Sequence, residues 1–321
     1  MKLNRRLNLT RLIGCFGHGV LTVLVVSVFL VYSPVLAEAA KLCTGTSQDI
    51  LRSCRSGVSH EYWLTVAKCD NLPSTESKFC GMQAKTSRKA GNDECKAQFD
   101  VRQKICKDMG QGMYNPVINF SNFVNKIDNQ YFLLAPGTTF IYEGTTEKGN
   151  ERDEVKVTHN TKVILGVTCV EVRDTVTVNG VLAEDTFDWY AQDKDGNVWY
   201  FGEKALQYDE GGEIVGLEGS WEAGVNGAKP GIIMKAHPHV GDSYRQEFAL
   251  GVAEDIAGVL SLNESITVHS VTYKQCLKTK EFSPLEPDVL ENKFYAPGVG
   301  NIQTVDVVSG QHLDLVQIKT E

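Results

Sequence analysis

Three groups of residues in this chain have the types and spacing to do chemistry. Met234, His237 and His239 place a thioether and two imidazoles within six positions, a soft ligand set suited to copper. Asp193, Asp195 and Asn197 begin like a calcium loop. Its sixth position, however, is Val198 rather than Gly and its twelfth is Lys204 rather than Glu, so a hairpin turn accounts for them as well. Carboxylates are abundant: Glu184, Asp185, Asp188, Glu203, Glu218, Glu222, Glu247, Glu254 and Asp255. Paired acids can hydrolyse glycosides, but only at a fixed separation in space, which chain spacing does not supply. The Gly-rich stretch 216–231 lacks the end of a phosphate loop, and no serine sits in a nucleophile elbow. No cofactor motif is present, and a metal ion is the one prosthetic group these residues leave room for. The reading is a non-enzymatic exported binding or envelope protein. A metal-binding protein (copper or calcium) and a carboxylate-based hydrolase are the alternatives.

Binding chemistry has its own candidates. The turn Asp193-Lys194-Asp195-Gly196-Asn197 suits Asp at its first position and Gly at positive φ. Pairing across it sets Ala191 opposite Trp199 and Trp189 opposite Phe201. Phe187, Trp189, Ala191, Trp199 and Phe201 then share one apolar face, with Asp188, Tyr190, Gln192 and Tyr200 on the other. The aromatic face is either core or, if the sheet curls, the wall of a ligand cavity in which Trp189, Trp199 and Phe201 make the contacts. The partner is then a small apolar ligand or an envelope protein.

The elements that must carry these residues begin with a cysteine ladder. Cys43, Cys54, Cys69, Cys80, Cys95 and Cys106 are spaced 11, 15, 11, 15 and 11 apart, and each mirrored pair of positions has the same total, 149. Facing residues of an antiparallel helical hairpin have that property, because both helices rise equally per residue. Eleven and fifteen residues are about three and four turns, so the cysteines of each helix keep to one side. The spacing favours bridges Cys69–Cys80, Cys54–Cys95 and Cys43–Cys106, with a turn at Asn71-Leu72-Pro73-Ser74 and Ser74 as N-cap. A competing scheme pairs Cys54 with Cys69 and Cys43 with Cys80, but it strands Cys95 and Cys106 and puts a turn inside Ser59–Trp63. Leu51, Cys54, Val58, Tyr62, Val66 and Cys69 mark a buried stripe. The first helix is expected from about Ser47, and Gly91-Asn92 reads as an interruption of the second. Cys169 and Cys276 remain and are expected to form a fourth bridge, two buried thiols being the other reading. Zinc ligation would need pairs two to four residues apart, and there are none.

Eight of the nine cysteines lie beyond residue 37, an even number that fits an oxidising compartment, and the N-terminus fits export. Lys2, Arg5, Arg6 and Arg11 precede an apolar run from Val20 to Tyr32, and small residues end at Ala37 or Ala39. This is the order of a cleavable signal, expected over 1–37, although the uncharged stretch from Leu12 to Ala37 is also long enough for a retained anchor. Cys15 precedes the apolar run and so is out of register for acylation. The mature chain is expected to be periplasmic or secreted and not membrane-spanning. Beyond residue 37 there are 28 basic and 40 acidic residues. Residues 38–114 hold 12 basic and 9 acidic, residues 115–321 hold 16 and 31, so the charge is +3 in one part and −15 in the other. That acidity argues against nucleic acid as a partner.

The fold class expected is α+β: a disulfide-stapled hairpin over 38–114, a linker over 115–134, and a mainly antiparallel β domain over 135–321 built as a curved sheet, half-barrel or sandwich. Twelve β-branched or aromatic runs between Thr138 and Ile318 are bounded by turn residues, Asn179-Gly180 is a tight hairpin signal, and a short helix is expected over Val252–Leu262. The motifs Asp188-Trp189-Tyr190-Ala191-Gln192-Asp193 through Glu203, Gly219-Ser220-Trp221-Glu222-Ala223-Gly224, Val240-Gly241-Asp242-Ser243-Tyr244-Arg245-Gln246-Glu247 and Tyr295-Ala296-Pro297-Gly298-Val299-Gly300 resemble a family of secreted bacterial proteins of unknown function. The resemblance spans about 115–318. It implies an envelope or extracellular bacterial protein and brings no catalytic residue with it.

Overall fold

The computed structural model describes residues 41–321, so the expected export signal lies outside the described residues. Two helices come first, α1 (Leu42–Cys69) and α2 (Ser74–Met109). Neither contains a proline, and Pro73 stands at the boundary where its fixed φ begins the second helix. Ser74 is thus the first helical residue rather than the cap, and α1 starts five residues before Ser47, so that Cys43 lies within it. Bridges Cys43–Cys106, Cys54–Cys95 and Cys69–Cys80 join the helices at three heights, with Cα separations of 5.6, 5.8 and 5.5 Å. Gly91 does not interrupt α2. A Cβ there would lie 2.8 Å from Val58 Cγ2, so its bare Cα is what allows the helices to close between the upper two bridges.

The rest of the described chain is a 16-stranded antiparallel sheet, rolled into a nearly closed barrel, with a separate two-stranded sheet in its lead-in. Three short strands lead in through the expected linker: β1 (Phe123–Val124), β2 (Ile127–Asn129) and β3 (Phe132–Leu134), of which β2 and β3 pair with each other as that separate sheet. Long neighbouring strands follow: β4 (Thr138–Thr146), β5 (Gly149–Ile164), β6 (Val167–Val178), β7 (Val181–Asp193) and β8 (Val198–Tyr208). After the small pieces β9 (Ile214–Gly216) and β10 (Trp221–Glu222) come β11 (Lys229–Met234), β12 (Ser243–Arg245) and β13 (Glu247–Phe248). The last wall is β14 (Ile256–Val268), β15 (Val271–Ser283), β16 (Glu286–Ala296), β17 (Gly300–Asp306) and β18 (His312–Thr320). The ladder runs β12-β14-β15-β16-β17-β18-β4-β5-β6-β7-β8-β11-β13. Its two ends, β12 and β13, are consecutive pieces of one extended segment, Ser243–Phe248, which pairs with β14 through its first half and with β11 through its second. One six-residue segment therefore draws the two edges together and leaves little free edge to pair elsewhere.

Two sequence expectations are corrected here. The helix expected over Val252–Leu262 is instead the start of β14, because Ile256, Ala257 and Gly258 are paired on both sides, with β12 and with β15. Tertiary pairing overrides the local preference. Cys169 and Cys276 form no bridge and are free, buried thiols. They sit on β6 and β15, six strand steps apart and roughly 29 Å along the sheet at the usual strand spacing. They also pack into different apolar clusters. The pairing by elimination failed because it ignored which strands become neighbours.

Candidate functional site

Alternation along the strands divides the β domain into an inner and an outer surface. Val155 and Val157 of β5, Val170 and Val172 of β6, Tyr190 of β7, Leu277 of β15 and Tyr295 of β16 belong to the inner cluster. In register with them stand Asp153, Asp174, Asp188, Glu281 and Lys293. The interior is thus aromatic and acidic together. Asp153 and Asp174 are diagonal neighbours across the β5–β6 ladder, each with one oxygen, Oδ1, buried and without a hydrogen-bond partner. Burial raises both carboxyls above the usual range, and repulsion from Asp174 raises Asp153 further. Asp188 is raised well above its ordinary value by burial and then by Glu203. Burial takes Glu203 up to about 7 and Asp255 up to about 6, and Glu247 well above the normal carboxylate range. Glu281 is the exception. Burial opposes its charge, but Lys293 Nζ at 3.0 Å, Thr279 Oγ1 and Tyr295 Oη hold it ionised, its pKa below normal.

A bulge composes part of this cluster. Between Trp189 and Tyr190 the register with β8 slips, so that Trp189 faces Gly202 and not Phe201. Gly202 has φ +148°, and a Cβ on it would lie 2.5 Å from the carbonyl oxygen of Trp221, so only glycine fits. The extra residue turns Tyr200 and Glu203, three apart, to the same side. There the Tyr200 hydroxyl donates to Asp188 Oδ1 and lies 3.0 Å from Glu203 Oε2. A cavity of about 190 Å³ remains inside, walled by Tyr142, Asp153, Tyr190, Lys293 and Tyr295.

A second cavity, about 280 Å³, lies between the hairpin and the barrel. Leu42 and Ile50 of α1, Ile105 of α2, Met113, Phe248 and Leu250 give it apolar walls. At one side Arg102 of α2 makes two hydrogen bonds to Glu254, of 3.0 and 2.7 Å, with both side chains buried. Glu254 also accepts from the backbone N–H of Gly251. Arg245 of β12 enters the same cavity, its guanidinium 4.9 Å from the ring centre of Phe248 and 5.6 Å from that of Tyr114. Lys229 donates to the Tyr114 carbonyl and to Asn115 Oδ1. Burial lowers the Arg245 pKa, with Glu254 and Tyr114 opposing, and raises the Tyr114 hydroxyl to about 12.

The residues singled out by sequence are dispersed. Met234 is fully buried in the inner cluster, whereas His237 and His239 are exposed on the following loop. Among the described residues no group of three or more His, Cys, Asp or Glu is placed to hold a metal ion. Asp193 clasps its own turn, accepting from Asn197 N, Asn197 Nδ2 and Trp199 Nε1, while Asp195 projects into solvent. Trp189, Trp199 and Phe201 do share one face, which is the outer one. Phe123 of the lead-in packs edge-on against Trp199 and Phe201, and Lys162 Nζ sits 3.6 Å over Trp189. Of the nine carboxylates, Asp188, Glu203, Glu247 and Asp255 converge inside the barrel. Glu254 is committed to Arg102, Asp185 to Arg173 and Glu222 to Lys162. Sequence reading missed Asp153, Asp174 and Arg245. Asp153 and Asp174 were detectable as acids in phase with the inward-facing valines of β5 and β6.

Comparison with known protein families finds no match, and neither does comparison with curated proteins. A solved structure of a candidate lipoprotein from Parabacteroides distasonis aligns with 60% of this chain and 100% of its own at 15% identity and a TM-score of 0.28, a level that carries no argument. The three bridges belong to an oxidising, extracytoplasmic setting. No helix among the described residues is long and apolar enough to cross a membrane.

Proposed function

We propose that this is a non-enzymatic periplasmic or secreted protein of the bacterial family it resembles, and that its hairpin and β domain together hold a small, mainly apolar ligand. The observation that carries the reading is the cavity of about 280 Å³ whose apolar walls come from both units. Its size is at the lower end of small-molecule sites, and a few polar groups converge at one side, as binding sites require. The hydrolase alternative fares worse. Asp188 and Glu203 share the Tyr200 hydroxyl, so a tyrosine occupies the place between two acids where a substrate oxygen would have to lie.

The test is fluorescence of the uncharged dye N-phenyl-1-naphthylamine with the purified, oxidised chain. Enhanced emission that Ile105→Trp abolishes, with circular dichroism unchanged, is the expected result. Equal emission from both proteins would refute the assignment to this cavity.

A further inference from the structure

We infer that the ligand is an amphipathic anion, a carboxylate on an apolar body, whose head group binds Arg245; this rests on the reading that the cavity between hairpin and barrel is the binding site. The charges around the cavity lead to it. Arg102, Lys229 and Arg245 are cationic and only Glu254 is anionic, so the lining carries a surplus of two positive charges. Arg102 comes from the hairpin, and Lys229, Arg245 and Glu254 come from residues 115–321, whose other charged residues are 30 acidic against 14 basic.

Each of the other charged groups has its partners. Glu254 is taken up by Arg102 and the Gly251 N–H, and Lys229 by two oxygens of the segment after α2. Arg245 differs. Among the described residues its guanidinium makes no salt bridge; it lies against the Phe248 and Tyr114 rings, and Glu254, bonded to Arg102, acts on it only through space. Ring faces stabilise a cation without neutralising it. A guanidinium offers five donors in a planar fork that matches a carboxylate in bidentate geometry. Arg245 is half-buried, and even part-way removal of such a group from water without an ion-pair partner has a cost that a bound anion lowers.

The walls set the rest of the ligand. Leu42, Ile50, Ile105, Met113 and Leu250 make most of the remaining wall, with only the hydroxyls of Thr46 and Ser47 beside them, so the body beyond the head is mainly hydrocarbon. At about 30 Å³ per water-sized group, the volume admits roughly nine such groups, the size of a medium-chain carboxylate. Affinity should come from the chain and discrimination from the head group.

A dye-displacement ladder on the oxidised wild-type chain at pH 7.5 tests this without any variant. Octanoate, 1-octanol and octylammonium share a chain length and differ in charge. Octanoate is expected to displace the dye at least tenfold more tightly than octanol, with octylammonium weakest. Arg245→Leu, which keeps apolar bulk over Phe248, should bring octanoate to the level that octanol reaches on the same variant. Lys229→Gln should cost octanoate less than threefold. Equal displacement by octanoate and octanol would overturn the anion inference while leaving the cavity as an apolar site. Failure of all three to displace the dye would count against the proposed function itself. Co-sedimentation with phosphatidylglycerol vesicles, without octanoate binding, would assign the cationic groups to a lipid surface and overturn the inference.

Discussion

The hairpin and the barrel face the same oxidising surroundings and solve the problem of stability in opposite ways. In the hairpin the cysteines are the core. The only buried residues of α1 are Ser47 and Cys69, and those of α2 are Ala84, Cys95, Arg102, Ile105 and Cys106. Trp63, Phe79 and Met82 are 58–62% exposed, so apolar burial is minor and covalent bonds replace it. The barrel leaves both of its cysteines reduced and relies on a ladder of hydrogen-bonded strands around an apolar interior. The contrast teaches that a thin two-helix layer lacks the thickness for a core, whereas a rolled sheet encloses one.

Reduction should break this symmetry of solutions with the largest effect. Each bridge closes a stretch of 63, 41 or 11 residues and contributes about 3–4 kcal/mol in the chain-entropy picture. Mild reductant should therefore open residues 42–109 to protease while a fragment from about residue 123 onward survives. Counting thiols on a chain that begins at residue 38 should find none reactive under native, oxidised conditions, and two in denaturant. Loss of both regions together on reduction would mean that they fold as one unit.

The joint between the regions comes next. Removing one partner of the buried Arg102–Glu254 pair strands a charge and typically costs about 3–5 kcal/mol. Arg102→Met or Glu254→Gln should lower the unfolding midpoint sharply, and Arg102→Met combined with Glu254→Leu should recover most of the loss. Additive losses in the double variant would show that the pair is not the joint.

A smaller effect distinguishes the barrel by pH. Glu203 is raised from its ordinary value near 4.5 up to about 7, so its protonated form fits the fold better than its charged form. The stabilisation is complete below about pH 4.5 and is lost as pH rises through 7, on the order of 3 kcal/mol for this one group. Asp255, at about 6, acts in the same direction. Urea midpoints should be higher at pH 5 than at pH 8 for the wild type. Glu203→Gln should flatten the difference, and a wild-type midpoint rising with pH would contradict the neutral interior.

Much of the architecture was legible because it is periodic. The mirrored cysteine spacing encodes two rods of equal rise, and the turn at Asp193–Asn197 fixes Ala191 opposite Trp199 as expected. What escaped was set by closure. The polar face of Asp188, Tyr190 and Tyr200 has the composition of a solvated surface, yet it lines the interior, because the sheet rolls with that side inward. No local signal announces rolling. The bulge at Gly202 moved Glu203 inward by one residue's slip, and a sequence of alternating aromatics does not show where alternation breaks. Arg245 carries no signal beyond its motif, since nothing near it in sequence reveals that α2 and Phe248 surround it.

The segment Ser243–Phe248 has a second significance as the clasp of the barrel. Tyr244 and Glu247 look into the interior, while Arg245 and Phe248 look out into the cavity beneath the hairpin. The same short stitch therefore forms the seam of one compartment and the floor of the other. Whatever fills the outer compartment presses on the thread that holds the inner one shut.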